Sequence, residues 1–220
     1  MKTRSLFLAT ITLIAVSSGC GKKNTDNTID ATPKDTVDIA LEATMPIANK
    51  LRVVTSMGDF TLELLPEIAP KTVENFKKHV RDGFYEGIIF HRVIPNFMIQ
   101  AGLHNPDMSK KPFKGHVVNE AEQAKEKGLL NTKGTISMAY APGNPLTGAN
   151  VQFFINLKHN TNLDFKEKTI TGYGHCPFGK VVKGMDVVEK ISRVGTKTIN
   201  QFANVPVQPV TIAKIEFVID

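Results

Sequence analysis

The side chains with the most chemistry to offer crowd into residues 90–102, where His91, Arg92 and Gln100 are interleaved with Phe97 and Met98. Nucleophilic hydrolysis finds little support. No serine or cysteine sits in a recognisable nucleophile motif with a base. The six histidines show no metal-ligand spacing, and Cys20 and Cys176 are too few and too far apart for a zinc site or a disulfide framework. Neither a metal nor a cofactor is expected. Taken singly, the same residues have plainer readings: Phe97, Met98 and Phe154 as core side chains, His91 as a structural residue, Arg92 as half of a surface ion pair. Which reading holds depends on the elements that carry them.

Of the 220 residues, 41% are hydrophobic and 22% charged, an ordinary globular composition. Ordered structure is expected from Leu51. Residues 51–55 and 60–65 flank the turn Ser56-Met57-Gly58-Asp59, and Phe60, Leu62 and Leu64 alternate with Thr61 and Glu63 as in a half-buried hairpin. Pro70 opens a helix with Val73, Phe76 and Val80 on one face and Gly83 at its end. Further strands are expected at 88–93, 98–102, 135–139, 151–157, 178–182 and 210–218. A second helix at 185–191 turns Met185, Val188 and Ile191 inward and spaces Asp186 and Lys190 as a helical ion pair. Spacing alone supports an all-β barrel or sandwich with a pair of helices.

Phe90-His91-Arg92-Val93-Ile94-Pro95-Asn96-Phe97-Met98-Ile99-Gln100-Ala101-Gly102 resembles the signature of the cyclophilins. Asn75-Phe76, residues 134–139 (Gly-Thr-Ile-Ser-Met-Ala), residues 152–156 (Gln-Phe-Phe-Ile-Asn), Leu163-Asp164 and residues 178–185 follow in the family's order across 50–220. The resemblance implies a closed eight-stranded antiparallel barrel capped by two helices, and peptidyl-prolyl cis/trans isomerase activity. It assigns Arg92 to the prolyl nitrogen of the twisted bond and Gln100 to orienting Arg92. Phe97, Met98, Phe154 and Leu163 would form the proline pocket. Gln152 and the backbone around Ala139 and Tyr140 would bind the substrate main chain, with His175 beside the pocket. Some positions depart from the family pattern. Asn162 stands where many members have an aromatic ring, Tyr140 replaces a common Asn, Val151 replaces Ser or Thr, and residues 165–174 look like an insertion at the pocket rim. Reduced cyclosporin sensitivity follows. A prolyl-binding chaperone that no longer turns over is the alternative, and the intact Arg92 argues against it.

The chain's start reads as an export signal: Lys2 and Arg4, an apolar run at 6–16, then Ser17, Ser18 and Gly19 ahead of Cys20. That ending resembles a bacterial lipobox, which implies a signal peptide at 1–19 and an acylated Cys20. Ser17 occupies the usual aliphatic position, so ordinary signal-peptidase cleavage is the alternative. A Cys20–Cys176 disulfide is the competing fate for the thiols. Residues 20–49 are rich in Lys, Thr, Asp and Asn and read as a flexible linker between lipid bilayer and a domain at 50–220. By the family's sorting pattern, Gly21 after the cysteine points to the outer membrane, with the domain facing the periplasm. Formal charge is +6, of which Lys2 and Arg4 contribute two, leaving a scattered +4. No basic stripe suggests nucleic acid as a partner. Proline-containing polypeptides are the expected substrates and a monomer the expected state.

Overall fold

Alternation builds the first hairpin as expected. In β1 (Lys50–Thr55) and β2 (Gly58–Leu64), Leu51, Val53, Phe60, Leu62 and Leu64 are buried while Arg52 and Thr61 face outward. Thr55 pairs with Gly58, so the connection is only Ser56-Met57. It is tied by the Thr55 hydroxyl, which donates to the Gly58 carbonyl at 2.6 Å and accepts from the Met57 N–H at 3.1 Å. The computed structural model describes residues 48–140, 143–147 and 149–219. The expected signal peptide, Cys20 and nearly all of the linker lie outside them.

Helix α1 (Pro70–Arg81) begins with proline at its first turn and buries Val73, Phe76 and Val80. Its first N–H groups would be unsatisfied; the Glu120 carboxylate accepts from the Lys71 N–H (3.2 Å), the Thr72 N–H (2.8 Å) and the Thr72 hydroxyl (2.8 Å). Phe76 anchors the helix on the sheet, its ring 5.4 Å from Phe153 and 5.2 Å from Phe178. Short α2 (Ala121–Glu126) follows Glu120 and was not anticipated. Helix α3 (Met185–Ser192) buries Val188 and Ile191, with Met185 partly buried against the core. Gly184 precedes it at φ 78°, where any Cβ would lie 2.5 Å from the Asp59 carbonyl oxygen. The expected Asp186–Lys190 pair is absent from the ion pairs of the described residues; Lys190 reaches the Met57 carbonyl at 3.5 Å instead.

The remaining strands are β3 (Arg92–Ile94), β4 (Met98–Ala101), β5 (Thr135–Tyr140), β6 (Ala149–Asn156), β7 (Pro177–Lys183), β8 (Thr196–Ile199), β9 (Phe202–Pro206) and β10 (Ile212–Phe217). Eight form one antiparallel sheet in the order β10-β1-β2-β7-β5-β6-β4-β3, and β8–β9 stand apart as a hairpin. The sheet curls, but the closed barrel capped by two helices must be corrected to an open curled sheet with three α-helices. The edge strand β3 is only three residues long before the Pro95-Asn96 turn. Ahead of it, residues 88–90 meet 210–212 through one bridge, Ile89 opposite Thr211. There the Gly87 N–H donates to Ile212 O (2.9 Å), the Ile212 N–H to Ile88 O (2.8 Å) and the Phe90 N–H to Val210 O (2.9 Å), a short junction outside the named strands.

Candidate active site

The pleat of β4, β5 and β6 gives this sheet two apolar faces. Ile99 and Ala101, Ile136 and Met138, and Val151, Phe153 and Ile155 point into the main core. Their neighbours Met98, Ala139 and Phe154 point the other way, into a separate cluster with Ile94, Phe97 and Leu163. Register completes the arrangement: Arg92 on β3 is directly opposite Gln100 on β4, and Gln100 is opposite Phe154 on β6. Met98 lies two residues from Gln100 and Gln152 two residues from Phe154, so all five share one face. Gly102 at φ 110° holds β4 against β6, where a Cβ would run into the Val151 carbonyl.

These side chains line a cleft of roughly 600 Å³. All ten site residues expected from the sequence border it: Arg92, Phe97, Met98, Gln100, Ala139, Tyr140, Gln152, Phe154, Leu163 and His175. An Arg92 Nη lies 3.5 Å from Gln100 Oε1, and Gln100 Nε2 donates to Gln152 Oε1 at 3.3 Å. Burial lowers the Arg92 guanidinium from its ordinary value. Among the described residues it has no ion-pair partner, so the plain reading of Arg92 as half of a surface pair does not apply. His175 is stacked on Tyr140 (centroids 4.3 Å, 18°), meets Phe154 edge-on at 5.2 Å, and donates from Nδ1 to the Met138 carbonyl at 3.2 Å. Leu163 ends a short 3-10 turn (Thr161–Leu163). Asn162 is exposed and, like every residue of 165–174, is not among the residues that border the cleft. Buried Cys176 lies behind His175, its thiol pushed up to about 12 by burial.

The sequence did not point to the far half of the cleft, lined by His91, Leu103, His104, Lys110 and residues 201–204 at the β8–β9 tip. Asn200, at positive φ between β8 and β9, is the turn signal available in the sequence. His91 and His104 are buried with ring centroids 4.3 Å apart.

Burial holds His91 down to about 3 and His175 down to about 4, so both are neutral in the fold near pH 7. Below about 6.5 the unfolded chain takes up these protons and the native chain does not, so stability is lost as pH falls toward those values. At pH 4.5 the loss is expected to be about 2–3 kcal/mol per histidine. Urea unfolding of wild type and His91→Asn at pH 7.5 and 4.5 checks this. The variant should show a clearly smaller pH-dependent loss, and equal losses in both would mean that His91 titrates normally.

An apolar pocket beside a guanidinium with no ion-pair partner among the described residues, on one face of a curled antiparallel sheet, defines a class: a mostly-β protein with an apolar cleft edged by polar side chains. Residues 50–217 match the family model described as cyclophilin type peptidyl-prolyl cis-trans isomerase/CLD, and the chain belongs to that family. It is an enzyme of the peptidyl-prolyl cis-trans isomerase class (EC 5.2.1.8). The chain is similar to a peptidyl-prolyl cis-trans isomerase of Acinetobacter baylyi, 44% identical over 162 residues (74% of this chain, 81% of that one). It is also similar to peptidyl-prolyl cis-trans isomerase B of Escherichia coli, 42% identical over 163 residues (73% and 94%). Among solved structures, a Cryptosporidium parvum cyclophilin determined in the presence of the dipeptide Ala-Pro superposes with a TM-score of 0.62 at 24% identity, covering 78% of this chain and 99% of that one, a likeness of fold.

Proposed function

We propose that this isomerase rotates X-Pro bonds of exported proteins, with Arg92 as the residue that stabilises the twisted amide. The convergence of Arg92, Gln100 and Gln152 with Phe97, Met98, Phe154 and Leu163 in one cleft carries this reading. The apolar wall takes the proline ring and the polar wall the adjoining backbone. The barrier, about 18–20 kcal/mol, comes from the partial double bond of the peptide link. As the bond twists, the prolyl nitrogen loses conjugation and gains a lone pair. An N–H aimed at that lone pair binds only the twisted state and so accelerates rotation. The guanidinium suits this role because it stays charged and can hold the neighbouring carbonyl as well. No proton moves.

The test is the cis-to-trans exchange rate of a short prolyl peptide. Uncatalysed exchange takes tens of seconds, so a substoichiometric amount of the full chain should collapse that time many-fold. A folded chain that binds the peptide without accelerating it would instead be a prolyl-binding chaperone.

The export signal and lipobox-like ending support placement in a bacterial envelope. Cys20 would be acylated, the outer membrane would be the favoured bilayer, and the monomeric domain would face the periplasm on a flexible linker. Two or more acyl chains hold a protein stably where one is marginal, at about 0.8 kcal/mol per buried CH₂. Intact mass of the membrane-extracted protein should show cleavage before Cys20 and added acyl chains. An unmodified N-terminus beyond Cys20 would overturn the anchor.

A further inference from the structure

Beyond the proline pocket the cleft changes character. Its far wall carries a row of nitrogen-bearing side chains, Arg92, His91, His104 and Lys110, with the Phe202 ring 5.2 Å from His104. Each is close enough to its neighbour to matter electrostatically. Lys110 lowers the His104 pKa, and His104 and Arg92 both lower that of His91, in each case after the larger effect of burial. With both imidazoles held toward the neutral form, Arg92 and Lys110 are the two cations of the row, and folded proteins usually set carboxylates among such charges. Here none is supplied. No aspartate or glutamate borders the cleft, and neither Arg92 nor Lys110 has an ion-pair partner among the described residues. Exposed Asp107, which accepts from the Ser109 N–H at 2.9 Å and its hydroxyl at 2.6 Å, does not border the cleft.

A second observation points the same way. His91 is 5% exposed and His104 3%, yet His91 Nδ1 and both His104 nitrogens find no hydrogen-bond partner in the protein. Buried polar atoms are nearly always paired. Of the two unpaired His104 nitrogens one is an N–H donor, and with two cations beside it this wall offers more positive charge and donors than the protein answers.

We infer that this half of the cleft is a subsite for an acidic side chain, Asp or Glu, flanking the proline of the substrate, with Lys110 and His104 as the residues that set the preference. The inference rests on the isomerase reading, since the proline pocket fixes which stretch of peptide reaches Lys110. A carboxylate entering beside Lys110 offsets one of the two positive charges and can accept from the single N–H of a neutral imidazole. The Phe202 ring packs edge-on against His104.

The test uses the full chain and one prolyl peptide with Glu, Gln or Lys placed in turn at each of the two positions before and after the X-Pro pair. Both the exchange rate and the direct affinity are measured. At one of these positions Glu is expected to exceed Gln by about tenfold in kcat/KM and in affinity, as for a charge pair in a partly shielded cleft, and Lys to fall below Gln. High salt should shrink the ratio. Lys110 is exposed, so Lys110→Glu should fold and bring the Glu-to-Lys ratio to one or below. His104→Phe keeps a ring and removes two unpaired nitrogens; it should raise the melting temperature while lowering the Glu preference about threefold or more, a combination that a purely structural histidine would not give. Equal values for Glu, Gln and Lys at every position, with the peptides still bound or exchanged, would overturn the subsite. A Glu preference in affinity without any acceleration would keep the subsite and sink the isomerase reading. Failure to bind any peptide would sink both.

Discussion

Arg92→Ala is expected to lower kcat/KM for prolyl exchange about a thousandfold, roughly 4 kcal/mol of transition-state stabilisation, with little change in KM or in unfolding midpoint. The ground state gives the guanidinium little to do: its contact with Gln100 Oε1 is at 3.5 Å, the limit of hydrogen bonding, and no carboxylate among the described residues pairs with it. Removing it should therefore neither unfold the sheet nor empty the apolar pocket of Met98, Ala139 and Phe154. Only the twisted amide, with its new lone pair, should miss it. Arg92→Lys should fall nearly as far, because an ammonium is a single hydrated point and cannot span the prolyl nitrogen and the adjoining carbonyl at once. The comparison is made by exchange kinetics on both variants after their unfolding curves are shown to overlay that of wild type. If Arg92→Ala stays within threefold of wild type, the acceleration comes from desolvation and positioning in the apolar pocket, and Arg92 has some other use.

The parts of this site that were legible in the sequence are those that follow a period. The hairpin of β1 and β2 announces itself through Phe60, Leu62 and Leu64, and α1 through Val73, Phe76 and Val80. Phe153 and Phe154 could not be separated by type, since both are buried phenylalanines. Strand alternation alone decides that one belongs to the core and the other to the cleft. Where periodicity is weak, sequence reading stopped. Helix α2 has six residues, too few for a face to repeat. Strand β8 is Thr-Lys-Thr-Ile, with three exposed positions and no apolar alternation, so the hairpin that brings Phe202 to the cleft had only Asn200 to signal it. The open edge at β3 was also out of reach, because closure depends on how many residues face each other across a gap, which no local pattern records.

Asn131→Ala is expected to cost about 3–5 kcal/mol of stability and to raise KM while leaving kcat less affected. Asn131 is fully buried, and its amide is a junction rather than a single bond. Its Nδ2 is within donating range of the Leu163 carbonyl (3.0 Å), Asp164 Oδ1 (3.0 Å) and the His175 carbonyl (3.2 Å). Its Oδ1 accepts from Ser137 Oγ (2.7 Å) and Asn156 Nδ2 (3.3 Å). Two pocket residues, Leu163 and His175, are thus fastened through one amide to β5 and β6, which carry Ala139 and Phe154. Truncation strands buried donors and acceptors on three segments at once, and unpaired buried groups cost more than the bonds they once made. Asn131→Asp separates this account from one based on shape. The aspartate fills the same volume and retains an acceptor for Ser137, but it loses the Nδ2 donor and sets a carboxylate against Asp164. If the amide network holds the wall, Asp should be as damaging as Ala in urea unfolding. If Asp restores wild-type stability, the side chain merely fills space, and the coupling between this buried junction and the proline pocket falls with it.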